Sequence, residues 1–120
     1  MIVCVLDDLL FSIRIRNAAK ALQADVYFER SGETLLDTIR EKRPSLVIFD
    51  LNSSRLAPME AIAAMKADPE LKRLMTLGYV SHVDSEAIAA ARRAGIDQVL
   101  ARSTFTERLG AILSSSNPLS

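Results

Sequence analysis

The sequence predicts an α/β domain built on a single parallel sheet, and three observations support this. Short apolar runs alternate with helical patterns from one end of the chain to the other. The clearest strand spans 45–49 and has a uniformly apolar core, as expected for a parallel strand that is covered on both faces. The chain has 120 residues, which is too short for a closed α/β barrel of ~250 residues. An open, doubly wound sheet is therefore the expected architecture.

The first part of the chain predicts two strand–helix units. A β-branched run at 2–6 predicts the first strand, and apolar residues then repeat at helical spacing over 10–24. A second short strand is predicted at 26–28. Thr34, with an acidic residue three positions later, resembles a capping arrangement. It predicts a second helix that ends near Lys42.

After the apolar strand at 45–49, the same alternation continues. Pro58 fits the first turn of a third helix, which is expected to run to Ala67. A fourth strand is predicted over 75–80, although it contains Gly78. These elements extend the strand–helix pattern into the second half of the chain.

The last two units carry their own start and stop signals. Asp84 or Ser85 is suited to cap a fourth helix, and Gly95 is suited to end it. A fifth strand is predicted at 97–101. A capping box at 104–107 is then expected to open the last helix, with its leucines and isoleucine facing inward.

Five strands that alternate with five helices favour parallel pairing through right-handed crossovers. The natural order for such a sheet is the flavodoxin-like order 2-1-3-4-5. No linker, repeat or low-complexity segment interrupts the pattern. Residues 1–113 are therefore expected to form one domain, followed by a polar tail at 114–120.

Composition and charge argue against several classes of function. Lys+Arg and Asp+Glu balance at 15 each, which argues against a general electrostatic hold on nucleic acid or on an anionic membrane. No apolar stretch approaches the ~20 residues of a membrane span, and no signal peptide is evident. The single cysteine, Cys4, is expected to be a buried thiol in a strand. It suits a reducing compartment, and we expect a cytoplasmic protein.

Polar residues follow four of the predicted strands. Asp7 and Asp8 follow the first strand, Asp50 closes the third, Ser81 follows the fourth and Arg102 follows the fifth. In an open parallel sheet the ligand crevice lies beyond these strand ends. The first and third strands are neighbours in the predicted order, so the three carboxylates are expected to lie close together. Asp at a strand end is also a common turn former, so the inference depends on the three residues together.

Close carboxylates repel, and they are usually balanced by a cation, a shared proton or solvent. A hard cation with oxygen ligands, such as magnesium, fits this acidic group. A carboxylate can also attack a phosphoryl group, which makes Asp50 a candidate nucleophile. Ser81 and Arg102 are placed to meet the charge on the transferred oxygens.

At these residues the chain resembles the receiver domain of the response regulators of two-component signalling. The resemblance covers nearly the whole chain. The segment 46–51, Leu-Val-Ile-Phe-Asp-Leu, is similar to the receiver strand that ends in the phosphoacceptor, and 94–100 is similar to the stretch that leads into the last strand. An acidic pair after the first strand and a Ser after the fourth complete the similarity.

The resemblance implies a role for each of these residues. Asp7 and Asp8 would bind Mg²⁺, and the backbone carbonyl of Asn52 would be a further metal ligand. Asp50 would accept the phosphoryl group and contribute to the metal site, and Ser81 would sense the phosphoryl group. The implied partners are a histidine kinase or another signalling protein, and a homodimer stays open.

The sequence also departs from the receiver pattern at several positions. Receivers carry Lys followed by Pro after the fifth strand, whereas this chain has Arg102 and Ser103. Arginine keeps the charge but is planar and bulkier, so the replacement is not conservative at a tight phosphoryl site. His82 stands where receivers usually have a small residue, and Val99 stands where many have an aromatic switch residue. The loop at 52–57 lacks the usual Pro and Gly.

Three functions stay open at this point. The first is a stand-alone receiver that accepts phosphate at Asp50 and acts through protein–protein contact, with no catalysis beyond its own phosphorylation and dephosphorylation. The second is a degenerate receiver that binds partners independently of phosphorylation, as the changes at His82, Val99 and Arg102 suggest. The third is a small flavodoxin-like enzyme or ligand carrier that uses the same strand ends.

Overall fold

The computed structural model describes residues 1–81 and 84–114. Its strands are β1 (Ile2–Val5), β2 (Val26–Glu29), β3 (Leu46–Asp50), β4 (Met75–Val80) and β5 (Gln98–Ala101). Its helices are α1 (Leu9–Leu22), α2 (Leu35–Lys42), α3 (Pro58–Ala67), α4 (Ser85–Ala94) and α5 (Arg102–Ser114), with a short 3-10 helix at Ser54–Leu56. No helix among the described residues is both long and apolar enough to cross a membrane.

All strands pair in parallel, in the order β2-β1-β3-β4-β5. The predicted flavodoxin-like fold is therefore confirmed. Val5 at the end of β1 pairs with Phe49 of β3, and Asp50 pairs with Tyr79 of β4. This register brings the carboxyl ends of β1, β3, β4 and β5 to one edge of the sheet, which we call the rim.

Two apolar cores lie on the two faces of the sheet. The core under α1 and α5 includes Cys4, Phe11, Ile15, Tyr79, Phe105 and Leu109. The core under α2, α3 and α4 includes Val5, Leu35, Ile39, Phe49, Ile62 and Met65. Every residue of β3 is buried, as its apolar run predicts. Each large apolar side chain that is fully buried stabilises the fold by roughly 1.5–3 kcal/mol before entropy is counted.

Cys4 is a free, buried thiol, as expected from its place in β1. Burial raises its pKa to about 12, because the charged thiolate is disfavoured away from water. The thiol is therefore neutral at physiological pH and acts as a small apolar side chain of the core.

The predicted boundaries of α3, β4 and α4 are confirmed, and those of α4 follow from local start and stop signals. Asp84 caps α4, and its side chain accepts hydrogen bonds from the backbone N–H groups of Glu86 and Ala87. Gly95 ends the helix with a φ of 105°, a left-handed conformation that favours glycine. Both signals act over a few residues, so the sequence alone is enough to find them.

Thr34 occupies the predicted N-cap position of α2, but its side chain makes no capping hydrogen bond, and the capping box predicted at 104–107 is wrong. The Thr34 hydroxyl donates to Glu29 Oε1 at 2.8 Å, and Thr38 donates to the same oxygen at 2.7 Å. Glu29 is buried at the end of β2, so it needs these donors and takes Thr34 away from its own helix. Thr104 lies inside α5, because the helix begins at Arg102 directly after β5.

Other boundaries differ from the predicted ones by one or two residues. The first helix ends at Leu22 rather than at 24, because Gln23 is left-handed with a φ of 57°. The fifth strand starts at Gln98 because the Asp97 N–H donates to the Thr76 hydroxyl instead of the sheet. The predicted polar tail lies outside the described residues, apart from Ser114.

Candidate functional site

Polar residues lie at the carboxyl ends of four strands along the rim. Asp7 and Asp8 lie between β1 and α1, and Asp50 is the last residue of β3. Ser81 follows β4, and Arg102 begins α5 immediately after β5. The structure therefore places every predicted strand-end residue at one edge of the sheet. His82 lies outside the described residues.

Asp50 is buried, with only 7% of its surface exposed. Its Oδ1 accepts two hydrogen bonds from Asn52, one from the backbone N–H at 2.9 Å and one from the side-chain amide at 2.8 Å. Among the described residues, Oδ2 of Asp50 accepts no hydrogen bond. Asn52 therefore fixes one carboxylate oxygen, and the other has no hydrogen-bond partner among the described residues.

Asn52 also connects Asp50 to the neighbouring strand. Its side-chain oxygen accepts a hydrogen bond from the backbone N–H of Ser81 at 3.0 Å. The resemblance to receivers implied only a role for the backbone carbonyl of Asn52, so sequence reasoning missed this function of the side chain. Ser81 is exposed, and it contacts Asn52 through its backbone N–H and not through its hydroxyl.

Both carboxylate oxygens of Asp8 have protein partners. Oδ1 accepts a hydrogen bond from the backbone N–H of Phe11 at 3.0 Å, which caps the start of α1. Oδ2 accepts a hydrogen bond from Nη2 of Arg102 at 3.1 Å. Asp8 thus has two structural contacts, neither of them with Asp50.

Arg102 packs on an aromatic ring as well as pairing with Asp8. Its guanidinium carbon lies 4.1 Å from the centre of the Phe11 ring, a distance at which a cation–π attraction operates. Asp8, Phe11 and Arg102 therefore contact one another in a closed set of three, which we call the Arg102 clamp. The clamp connects the start of α1 to the start of α5.

Asp7 has an arginine partner of its own. Its Oδ2 accepts a hydrogen bond from Nε of Arg55 at 2.9 Å. This bond is the main reason that the pKa of Asp7 is lowered, and partial burial opposes the shift. Sequence reasoning missed Arg55, because it is one of many exposed arginines and its partner is far away in the chain.

An aromatic cluster of Phe11, Tyr79 and Phe105 lies beneath the clamp. The Tyr79 ring is 5.0 Å from that of Phe11 and 4.8 Å from that of Phe105. Its hydroxyl is buried and has no hydrogen-bond partner among the described residues. Burial raises the pKa of Tyr79, and the negative charge of Asp50 raises it further, so the phenol stays protonated. Val99, at the receiver switch position, packs in the opposite core.

The loop after Asp50 turns without the proline and glycine usual in receivers. It forms the 3-10 helix, and Ala57 then takes a left-handed φ of 46° before Pro58 opens α3. A non-glycine residue in this conformation costs roughly 1–2 kcal/mol. The loop therefore reaches α3 by a strained turn, and it presents Arg55 to Asp7.

The comparisons with solved structures agree with this architecture. A response regulator from Hahella chejuensis is 20% identical with a TM-score of 0.81, over 96% of this chain and 93% of that chain. The receiver domain of a sensor histidine kinase from Pseudomonas aeruginosa, with magnesium in its active-site cleft, is 18% identical with a TM-score of 0.80, over 93% and 92%. The phosphorylated cyanobacterial phytochrome response regulator RcpA is 22% identical with a TM-score of 0.72, over 94% and 88%.

This chain has the receiver-domain fold. The resemblance inferred from the sequence is confirmed at the level of the fold, because strand order, helix placement and chain coverage all agree. No protein-family model matches the chain, and no curated protein matches it significantly.

The receiver fold raises the question of whether these residues fit a divalent metal. Carboxylate oxygens are the right donors for Mg²⁺. Within residues 1–81 and 84–114, however, no three acidic, His or Cys residues are grouped so that they could hold a metal ion. Asp7 faces Arg55 and Asp8 faces Arg102. In this arrangement the acidic pair does not fit a metal, and its charge is balanced by two guanidinium groups.

Proposed function

We propose that this chain is a receiver-type signalling domain that accepts a phosphoryl group at Asp50 and acts through contacts with other proteins. The main support is the environment of Asp50, where Asn52 fixes one oxygen and leaves the other without a partner among the described residues. The fold supports the same role, since the similar structures include a response regulator in its phosphorylated form.

The proposed step transfers a phosphoryl group from a phosphohistidine donor on a histidine kinase. A lone pair of Asp50 Oδ2 forms a new O–P bond while the N–P bond of the donor breaks, and the electron pair stays on the imidazole nitrogen. The negative charge of the transferred oxygens needs nearby cations. Arg102 is the cation predicted for this task, and it must leave Asp8 to perform it. The acidic pair does not take part in this step as a metal site, because Arg55 and Arg102 occupy its carboxylates as folded.

The experiment is phosphorylation by a small donor such as phosphoramidate, with and without Mg²⁺, followed by intact mass spectrometry. The wild-type chain is expected to gain one phosphate, and Asp50→Asn is expected to gain none while keeping its fold. Asp37→Asn is the matched control, because Asp37 is an exposed carboxylate on α2. Unchanged labelling of Asp50→Asn, or no labelling of the folded wild type, would contradict the proposal.

A second function is favoured by the two arginine pairs. Asp7 and Asp8 are already neutralised within the protein, so the domain is able to keep one rim structure without metal or phosphate. Such a degenerate receiver would bind its partner equally well with Asp50 or with Asn at that position. A large loss of partner affinity in folded Asp50→Asn would count against it. The third alternative, a small enzyme or ligand carrier, stays a hypothesis from the sequence.

A further inference from the structure

The two arginines at the rim balance the charge of the acidic pair one for one. Arg55 pairs with Asp7 at 2.9 Å, and Arg102 pairs with Asp8 at 3.1 Å. In a metal site these two carboxylates would face one divalent cation, which also carries two positive charges. The arginines therefore supply the same total charge from within the chain.

The two pairs are held with different strength. Arg102 is fixed on two sides, by Asp8 and by the Phe11 ring, and Asp8 is in turn fixed by its cap on α1. Arg55 is 67% exposed; besides Asp7 it has one long contact, from Nη2 to the backbone carbonyl of Arg30 at 3.4 Å. Arg55 is therefore the easier of the two to displace.

We propose that Arg55 and Arg102 act as built-in counter-ions of Asp7 and Asp8, so that the rim keeps its structure without a divalent metal and binds one weakly. A metal that approaches must break both ion pairs and must also take Asp8 Oδ1 from the cap of α1 or share it. The proposal concerns the unphosphorylated protein and does not depend on the function of Asp50.

The expected size of the effect follows from the exposure of the pairs. An exposed ion pair is worth little, and a unit charge several ångströms away in water adds an energy of similar size. Removal of one arginine is therefore expected to tighten metal binding by roughly three- to tenfold. Removal of both is expected to give a larger gain, since the two arginines hold different carboxylates.

The test measures Mn²⁺ binding to the full chain by electron paramagnetic resonance, which counts the free metal. The variants are Arg55→Gln, Arg102→Gln and the double variant. Arg73→Gln is the matched control, because Arg73 is exposed just before β4, at the edge of the sheet opposite the rim. Adding Asp7→Asn to the double variant tests whether the gained affinity belongs to the acidic pair. Circular dichroism and thermal melting check that each variant is folded.

The proposal expects weak Mn²⁺ binding by wild type and by Arg73→Gln, tighter binding by both single variants, and loss of the gain with Asp7→Asn. If Arg102→Gln does not fold, Arg55→Gln carries the test, because it removes one counter-ion and leaves the Arg102 clamp in place. Equal affinity of wild type and Arg55→Gln would then overturn the proposal. Equal affinity of wild type and the double variant, whether tight or absent, would overturn the proposal. A negative phosphorylation result would leave it unaffected.

Discussion

The two halves of the rim are built from similar acids but are held in different ways. Asp50 is held by the neutral donors of Asn52, and one of its oxygens has no partner among the described residues. Asp7 and Asp8 are held by the charged side chains of Arg55 and Arg102. The first half is thus held by neutral hydrogen bonds, whereas the second is closed by ion pairs.

The two halves of the rim share the loop that follows β3. The Asp50 half depends on contacts within β3, the following loop and the neighbouring end of β4, and these are set by the sheet. The Asp7 and Asp8 half depends on Arg55, from the same loop after β3, and on Arg102 at the start of α5. The partners of the acidic pair therefore come from elements that are remote in the chain, whereas Asn52 lies two residues from Asp50.

The largest effect is expected at Asp8, whose carboxylate both caps α1 and pairs with Arg102. A variant at this position therefore tests how the arginine-paired half of the rim is held. Asp8→Ala removes the cap of α1 and the partner of Arg102, so it is expected to lower the free energy of unfolding by about 1–3 kcal/mol. Asp8→Asn keeps a capping oxygen and loses the charge pair, so its loss is expected to stay below about 1 kcal/mol. Urea denaturation checks both. Equal losses for the two variants would show that the cap contributes nothing.

A smaller effect is expected beneath the clamp, at the buried hydroxyl of Tyr79. A buried polar group without a partner costs about 1–3 kcal/mol, so Tyr79→Phe is expected to stabilise the protein by about 1 kcal/mol. Tyr27→Phe is the control, because Tyr27 is exposed on β2. Thermal melting measures both variants. A destabilised Tyr79→Phe would mean that the hydroxyl has a partner, such as a buried water, in solution.

The sequence predicts those features that depend on neighbours in the chain or on the order of strands. Asp84 and Gly95 mark α4 through contacts within a few residues, and the 2-1-3-4-5 order brings Asp7 and Asp50 to one rim. The side chains that pair with the rim residues are harder to predict from the sequence. Arg55 reaches Asp7 across 48 positions, and no local pattern distinguishes it from the other exposed arginines.

Tertiary contacts also explain where the local signals fail. Thr34 has the residue type of a cap, but buried Glu29 binds its hydroxyl. The capping box at 104–107 does not open α5, because the helix already begins at Arg102, directly after β5. That early start brings the Arg102 guanidinium onto Phe11 and Asp8. These contacts join two helices that are far apart in the chain, so no local pattern predicts them.

The smallest expected effect concerns the acid sensitivity of the Asp7–Arg55 pair. Because Arg55 lowers the pKa of Asp7 below its ordinary value of 3.8, the pair stabilises the folded protein above that pH. The stability is lost as the pH falls through the lowered pKa of the folded state, where Asp7 takes up a proton. Arg55→Gln is therefore expected to be less stable than wild type near neutral pH, by at most about 1 kcal/mol, and the difference is expected to vanish below the lowered pKa.

The measurement is urea denaturation of wild type and Arg55→Gln between neutral pH and the acid limit of folding. Arg73 lies far from the rim, so the difference in free energy of unfolding between Arg73→Gln and wild type is expected to be the same at every pH. Added salt should shrink the Arg55 effect at neutral pH, because the pair is exposed and salt screens it. A difference that is constant with pH and with salt would mean that Arg55 acts by packing in the loop and not by its charge. In that case the Asp7–Arg55 ion pair would not stabilise the protein, and Asp7 would not differ from Asp50 in being held by a charged partner.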